Sequence, residues 1–157
     1  ILHGRVAVII PYDPKMDRVV LLEQFRNGKF AAGDCRPWSI SIAAGMIEEG
    51  ENAEETARRE IVEETGCLVG HIEKAMTFYS MPGGSSQRMT IFCAEVSAER
   101  ATGIHGISEE GEDIRVFSEP YYRCKEMLER NQFDNAATII GIEWLGRNRD
   151  RLRKLWL

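Results

Sequence analysis

Three glutamates, Glu60, Glu63 and Glu64, lie at spacings of three and four residues in one short segment of the chain. In a helix, positions i, i+3 and i+4 share one face, so the three carboxylates would point into one small volume. Two such charges about 4 Å apart repel by roughly 4 kcal/mol at an effective dielectric constant near 20. The spacing therefore predicts a site that binds a cation.

A helix over Asn52–Thr65 is supported by the residues at both of its ends. Asn52 is a favoured N-cap residue, and Glu55 follows three positions later, as in a capping box. Most of the residues between the ends are good helix formers. Gly66 suits the left-handed position that often ends a helix. The sequence thus predicts a capped helix that carries all three glutamates.

The same residues also fit a solvated acidic face, on which Arg59 pairs with glutamates one turn away on either side. Each such exposed pair contributes only about 0.3–0.5 kcal/mol. The helical wheel, however, shows an apolar stripe formed by Ala53, Ala57 and Ile61. Glu60 and Glu64 fall at the edge of that stripe, where a carboxylate is costly to bury unless it is paired or binds a metal. This placement favours the cation site.

The segment from Gly45 to Cys67 resembles the signature of the Nudix hydrolases. It reads Gly45, five residues, Glu51, seven residues and then Arg59-Glu60-Ile61-Val62-Glu63-Glu64-Thr65-Gly66. Cys67 stands where the family usually has Leu, Ile or Val, and a free cysteine is a small hydrophobe. The resemblance implies a loop–helix–loop that binds Mg²⁺ or Mn²⁺. It also implies hydrolysis of a nucleoside diphosphate linked to another moiety.

The resemblance implies the metal ligands residue by residue. Glu60 and Glu64 are the expected principal ligands, Glu63 assists them, and the backbone carbonyl of Ala44 is a further ligand. Oxygen ligands of this kind suit a hard cation, and two or three Mg²⁺ ions, with Mn²⁺ as the other candidate, are expected. Arg59 is expected to orient Glu63 or its neighbours rather than to contact the substrate.

A second acidic segment, Ser108–Asp113, is the candidate source of a general base. Taken alone, it is typical of a solvated acidic turn. Three segments shift the interpretation because they resemble bacterial ADP-ribose pyrophosphatases: Gly103–Gly106, Glu112–Val116 and Asp134–Ala137. In those enzymes a loop glutamate activates the attacking water.

Matched residue by residue, Glu110 is the expected base and Glu112 an auxiliary carboxylate or ligand. In other branches of the family a glutamate of the signature helix does this work, so Glu63 is the alternative catalytic base.

The substrate contacts are also carried over from the resemblance. Arg26 matches an arginine whose guanidinium suits diphosphate oxygens, and Met46 is expected to pack against ribose or base. Pro82 lies fifteen residues after Cys67, as in the ADP-ribose-cleaving subgroup, although it also fits an ordinary turn that continues into Gly84. Gly84 and Glu112 complete the expected substrate-binding set.

Two positions depart from the family pattern. The strand before Gly45 reads Ser39-Ile40-Ser41-Ile42, where relatives usually carry a glutamate. Gln87 stands where a relative can have a charged glutamate. Both departures concern substrate contacts rather than the class of reaction.

The bulk composition fits one globular domain over residues 1–157. The net charge of −5 weighs against nonspecific binding to nucleic acid or anionic membranes. The cysteines are scattered, which is typical of reduced thiols in a cytoplasmic protein. No apolar run approaches the ~20 residues of a membrane span. The chain begins at Ile1 rather than methionine, which leaves open a preceding N-terminal segment. The histidines, His3, His71 and His105, have no ligand spacing.

The pattern of elements predicts an α+β fold, a three-layer α/β/α sandwich with a mixed sheet. Strands are expected at Arg5–Pro11, Arg18–Phe25, Trp38–Ala44, Leu68–Ser80, Gln87–Val96 and Asp113–Phe117. Closing helices are expected at Glu119–Arg130 and Ala136–Leu157, and loops at 27–37 and 101–111. The basic end of the last helix suits a helix C-terminus; a nucleic-acid patch is the alternative.

Taken together, the resemblance implies hydrolysis of ADP-ribose to AMP and ribose 5-phosphate by a homodimer whose partner supplies part of the substrate site. One alternative is another sugar-nucleotide diphosphatase, for example one that acts on GDP-mannose. The other is a non-catalytic nucleotide-sensing module. A sensor would be free to lose the signature glutamates, and all three are present.

Overall fold

A mixed β-sheet with helices on both faces forms the part of the chain that the computed structural model describes, residues 4–157. His3 lies outside these residues. The strands are β1 (Arg5–Asp13), β2 (Arg18–Phe25), β3 (Trp38–Ser41), β4 (Ala43–Met46), β5 (Ile72–Tyr79), β6 (Arg88–Glu95), β7 (Gly103–His105) and β8 (Ile114–Pro120). The helices are α1 (Asn27–Ala31), α2 (Ala53–Thr65), α3 (Tyr121–Glu129) and α4 (Ala136–Trp156). Single 3₁₀ turns occur at Ala98–Arg100 and Ser108–Glu110.

The strand order is β5-β6-β1-β2-β8-β7, with β4 also paired to β1 and β3 to β2. The β1–β6 pair is parallel, whereas the other pairs are antiparallel. Central strand β1 therefore contacts three strands, the neighbouring β2 and the more distant β4 and β6. It is the element around which the sheet is organised.

Strand periodicity divides the core between the two faces of the sheet. Along β1, alternate residues point to opposite faces. Val8 and Ile10 join the cluster that includes Leu145 of α4, whereas Ala7 and Ile9 join the cluster that includes Ile61 of α2. The predicted α/β/α sandwich with a mixed sheet is confirmed.

The segment predicted as one strand, Trp38–Ala44, is two strands with a break at Ile42. The break arises because β3 pairs with β2 whereas β4 pairs with β1. At the break, the Ile42 N–H leaves the ladder and donates to the Thr138 hydroxyl of α4, with an N–O distance of 3.3 Å. This change of partner delivers Ala44 and Gly45 to the α2 side of the molecule.

Two predicted loops contain regular structure. Residues 27–37 include the short helix α1, where Phe30 packs against Phe25 and Lys29 Nζ lies 2.6 Å from the Asp134 carboxylate. Residues 101–111 include β7, which pairs with β8. In both segments tertiary contacts, rather than local periodicity, produce the element.

Basic side chains at the end of α4 contact the protein itself. Arg149 pairs with Asp17 at 2.9 Å, Arg151 pairs with Glu73, and Arg153 donates to the Pro14 carbonyl at 3.0 Å. These contacts tie α4 to the β1–β2 turn and to β5. None of the helices within residues 4–157 has both the length and the apolar character that a membrane crossing requires.

We expect Thr138→Val to destabilise the protein by about 1–2 kcal/mol, because the buried Ile42 N–H loses its acceptor while side-chain volume is kept. Urea unfolding at equilibrium measures the change. Thr138→Ser, which keeps the hydroxyl, is the matched control. Wild-type stability in Thr138→Val, with a loss only in Thr138→Ser, would show that the methyl group, not the hydrogen bond, matters.

Candidate functional site

Helix α2 has the capped ends that the sequence predicts. Asn52 Oδ1 accepts from the Glu55 N–H at 2.9 Å, and Glu55 Oε2 accepts from the Asn52 N–H at 3.0 Å. Gly66 ends the helix with φ +70°. Ile61 is fully buried against the sheet. The rotation of the helix, and with it the direction of its glutamates, is therefore fixed.

Glu64 is the most deeply buried of the three signature glutamates, with 4% of its surface exposed. Its Oε2 accepts from the Ala44 N–H of β4 at 3.0 Å. Burial raises the pKa of Glu64 to about 8, although the Ala44 hydrogen bond opposes the shift. A carboxyl in this setting gains from any cation that compensates its charge.

Glu60 lies against the backbone of the same strand. A β-carbon added at Gly45 would collide with the Glu60 carboxyl group, so only glycine permits this approach. Burial raises the pKa of Glu60 to about 7, against the attraction of the neighbouring Arg59. Burial thus favours the protonated form of both carboxyl groups that rest on the Ala44–Gly45 backbone.

Arg59 ties the acidic groups of the segment together. Its Nη1 donates to Glu60 Oε1 at 2.8 Å and to Glu63 Oε2 at 3.0 Å, and its Nε donates to Glu51 Oε1 at 2.9 Å. The expectation that Arg59 orients Glu63 and its neighbours agrees with these contacts. The same hydrogen bond from Arg59 is the main reason that the pKa of Glu51 is lowered to about 2. Glu51 matches the signature, but its position in the motif does not indicate that it would anchor Arg59.

The donor set at this site fits a hard divalent cation. Carboxylates of α2 stand beside the backbone of β4, where glycine lets them approach, and oxygen donors of both kinds suit such ions. As arranged, however, no group of three or more His, Cys, Asp or Glu within residues 4–157 is close enough to enclose a metal. The expectation that the three helix carboxylates share one small volume is therefore only partly met. Glu60 and Glu63 are drawn to Arg59, whereas Glu64 turns to Ala44.

A cleft of about 540 Å³ opens over these groups. It is lined by Ala44, Gly45, Met46, Glu48, Glu51, Arg59, Glu60, Glu63, Ile107, Glu110 and Glu112. The structure thus brings Glu60 and Glu63 of the helix together with the two loop glutamates that the sequence singled out, whereas Glu64 is not among the residues that line this cleft.

The loop that carries Glu110 and Glu112 is held in register with α2. The Gly106 N–H donates to the Glu63 carbonyl at 3.2 Å, and the Ile107 N–H donates to Glu112 Oε2 at 3.1 Å. Gly106 has φ +98°, and a β-carbon there would lie 2.8 Å from the Glu112 β-carbon. Backbone contacts therefore set the distance between the two acidic segments.

His105 supports this register at the same, C-terminal end of α2. A β-carbon added at Gly66 would lie 2.8 Å from the His105 ring, and His105 Nε2 lies 2.9 Å from the Thr102 carbonyl oxygen. The ring thus packs between the helix end and its own loop, in agreement with a loop-positioning role.

The predicted substrate-contacting residues fall into three positions. Met46 lines the cleft and is 50% exposed. Arg26 is half-buried and is not among the residues that line this cleft; burial lowers its pKa, and the charge of Glu64 is the strongest opposing influence. Gly84 lies in the β5–β6 turn, where its N–H donates to the Met81 carbonyl at 3.1 Å. Gly84 does not line the cleft within the described residues, so its substrate role stays a prediction.

Comparison with known proteins identifies a family model and curated relatives. The model for the NUDIX domain matches residues 2–139. ADP-ribose pyrophosphatase of Escherichia coli (strain K12) is 41% identical over 154 residues, which are 98% of this chain and 73% of the relative. ADP-ribose pyrophosphatase of Haemophilus influenzae is 35% identical over 158 residues, covering 99% and 73%. GDP-mannose pyrophosphatase of Escherichia coli O1:K1 / APEC is 33% identical over 144 residues, covering 91% and 74%.

A solved structure supports the fold independently. A crystal structure of an ADP compounds hydrolase superposes with a TM-score of 0.72 at 23% identity, over 92% of this chain and 75% of the other. At this level of identity the likeness is one of fold.

We expect Gly45→Ala to weaken divalent-cation binding at least tenfold, because the new methyl group displaces the Glu60 carboxyl from the backbone. The rise in melting temperature on titration with Mg²⁺ or Mn²⁺ reports the binding. Gly28→Ala is the matched control, since a β-carbon at Gly28 meets no atom within 4 Å. Unchanged cation binding in Gly45→Ala would contradict the metal assignment.

Stability without metal should fall as the pH rises towards 8. The pKa of Glu64 in the folded protein is about 8 against an ordinary value of 4.5, so between these values the folded state binds more protons than the unfolded state. Raising the pH through this window therefore favours unfolding, by up to about 1.4 kcal/mol per pH unit for each such group.

Glu64→Gln should flatten this slope and leave the fold intact, with equal or higher stability in EDTA. Added Mg²⁺ should stabilise the wild type increasingly as the pH rises, because metal ligands must be deprotonated. Thermal unfolding from pH 5 to 8.5 tests both points, and a wild-type slope of the opposite sign would refute the burial argument.

Proposed function

This chain belongs to the Nudix family, and from that premise we propose that it is a divalent-metal-dependent diphosphatase that hydrolyses ADP-ribose to AMP and ribose 5-phosphate. The observation that carries the proposal is the single cleft in which helix glutamates, loop glutamates and the Ala44–Gly45 backbone meet. Two curated relatives at 41% and 35% identity bear the name ADP-ribose pyrophosphatase, and this supports the choice of substrate.

The metal would be held by Glu60, Glu63, Glu64 and the Ala44 carbonyl, with Glu112 as an auxiliary ligand. We propose Mg²⁺, with Mn²⁺ as a substitute, and two or three ions in the active enzyme. A cation bound there neutralises diphosphate charge and promotes formation of a nucleophilic water. Arg59 contacts Glu60 and Glu63. When a metal binds, these two carboxylates would therefore have to contact both Arg59 and the ion.

The remaining chemistry is assigned to side chains of this chain. Glu110 accepts the proton of the water that attacks phosphorus, with Glu63 as the alternative base. The attack breaks the phosphorus–oxygen bond to the leaving phosphate, and the two products are AMP and ribose 5-phosphate. Arg26 binds diphosphate oxygens, and Met46, half-exposed in the cleft, packs against ribose or base.

A second candidate substrate is GDP-mannose, because one relative at 33% identity is named GDP-mannose pyrophosphatase. A panel of nucleotide sugars with Mg²⁺, with products separated by chromatography, distinguishes the two. ADP-ribose should be cleaved with the highest kcat/KM. Binding without cleavage of any member would instead favour the nucleotide-sensing module.

We also propose that residues 1–157 form one catalytic domain of a cytoplasmic homodimer that binds neither nucleic acid nor membranes. The cysteines Cys35, Cys67, Cys93 and Cys124 are all free thiols, which supports a reducing compartment. The basic side chains of α4 that pair with Asp17 and Glu73 are correspondingly less available to a polyanion.

Glu110→Gln should lower kcat by about 10²–10⁴-fold with little change in KM for ADP-ribose, because general-base catalysis contributes on that scale. Steady-state kinetics measure the effect. Glu109→Gln, one position away in the same turn, is the matched control and should be nearly silent. Glu63→Gln should weaken metal dependence more than it alters the pH profile. If instead Glu63→Gln removes the pH-dependent limb and Glu110→Gln is silent, the base lies on the helix.

Light scattering of the full-length protein at micromolar concentration should give the mass of a dimer. A strict monomer with full activity would contradict the proposed partner contribution to the substrate site.

A further inference from the structure

The guanidinium of Arg26 is held by neutral acceptors. Its Nη2 donates to Ser41 Oγ at 3.2 Å. With the Gln24 amide turned so that its oxygen faces the guanidinium, that oxygen accepts from Nη2 at 2.8 Å and from Nη1 at 3.2 Å. Among residues 4–157, no carboxylate oxygen lies within 4.0 Å of the Arg26 nitrogens.

This arrangement differs from that of the other arginine of the site. Arg59 lies within 3.0 Å of carboxylates of Glu51, Glu60 and Glu63, so its charge is already compensated. Arg26 is half-buried as well, and the carboxylates of Glu64, Asp134 and Glu112 act on it only from beyond contact distance. Burial of a cation without an anion in contact is costly. The cost of desolvating this guanidinium is explained if an anionic ligand binds to it when the protein functions.

Gln24 and Ser41, which together form a cradle for the Arg26 guanidinium, belong to adjacent strands. Gln24 lies on β2, and Arg26 follows the end of this strand with an extended backbone (φ −119°, ψ 108°), so the two side chains share one face. Ser41 ends β3, which pairs with β2, and it is 1% exposed. Ser41 also belongs to the stretch in which relatives usually carry a glutamate. In this chain the guanidinium is therefore oriented by rigid strand positions without being neutralised.

We propose that Gln24 and Ser41 are positioning residues that fix Arg26 through neutral hydrogen bonds and so leave its charge for the diphosphate of the nucleotide sugar. The proposal rests on the proposed function, since it takes a nucleoside diphosphate as the ligand. A carboxylate at either position would form a charge-assisted pair with the guanidinium. It would then compete directly with the substrate.

The test places a carboxylate in the cradle at constant shape. Gln24→Glu replaces one amide nitrogen by oxygen, and it should raise the dissociation constant of ADP with Mg²⁺, measured by calorimetry, about tenfold or more. KM for ADP-ribose should rise by a similar factor while kcat changes less than about threefold. Loss of packing alone would not produce this split between KM and kcat.

Asn27→Asp is the matched control, because it adds the same charge at an exposed position next to Arg26 in the chain. It should leave ADP binding within about twofold of wild type. An equal effect in the two variants would show that net charge alone is responsible, and it would overturn the proposal. Wild-type ADP affinity in folded Gln24→Glu would overturn it as well.

Ser41→Asp gives a second, independent carboxylate in the cradle and should also weaken ADP binding. Because Ser41 is buried, circular dichroism is used first to verify that this variant folds. If it does not fold, the Gln24→Glu variant still decides the question, because Gln24 is partly exposed and tolerates the change more readily. The two hypotheses fail separately. Weaker ADP binding in the variants of a wild type that never cleaves ADP-ribose would refute the proposed substrate and support the cradle.

Discussion

Two carboxyl groups pressed against one stretch of backbone form the constraint on which the site depends. Glu64 bonds to the Ala44 N–H, and Glu60 lies where any side chain at position 45 would be. The ionised form of each carboxyl is disfavoured in this position, because burial raises the pKa of both. The capped helix, the break at Ile42 and the register of the 106–112 loop can all be understood as the means by which the fold holds these groups in place.

Arg59 and Arg26 lie near the same acidic groups but interact with them in different ways. Arg59 binds carboxylates directly and gives the acidic cluster an internal counter-charge. Arg26 stays apart from them, in contact with neutral groups. One arginine thus stabilises the protein's own anions, whereas the other is suited to an anion from outside. The family resemblance already assigns these different roles to the two arginines, but residue type alone does not show which one is paired with carboxylates.

Much of the site follows from local sequence, because its central element is a helix with strong end signals. Asn52, Glu55 and Gly66 predict the limits of α2, and the glutamate spacing predicts which face is acidic. The limits of strand β2, Arg18–Phe25, are also predicted to the residue. These features depend on residues that are close in the chain.

What the sequence did not predict depends on contacts between distant residues. Local patterns do not show that Ile42 turns away to Thr138, that β7 pairs with β8 or that α1 forms beside Asp134. The same holds for the charge balance: Arg59 draws Glu60 and Glu63 together, so the three helix carboxylates do not converge as the wheel suggests. Such outcomes require the tertiary structure.

The hydrogen bond between Ile42 and Thr138 joins residues 96 positions apart, and it has a consequence for how the protein is made. During synthesis the acidic helix emerges from the ribosome long before α4 exists. The strand break that presents Ala44 and Gly45 lacks its α4 partner until nearly the whole sequence is available, and loop-closure entropy makes such long-range contacts late events in folding. A nascent chain would therefore carry the full signature motif without yet having a finished site.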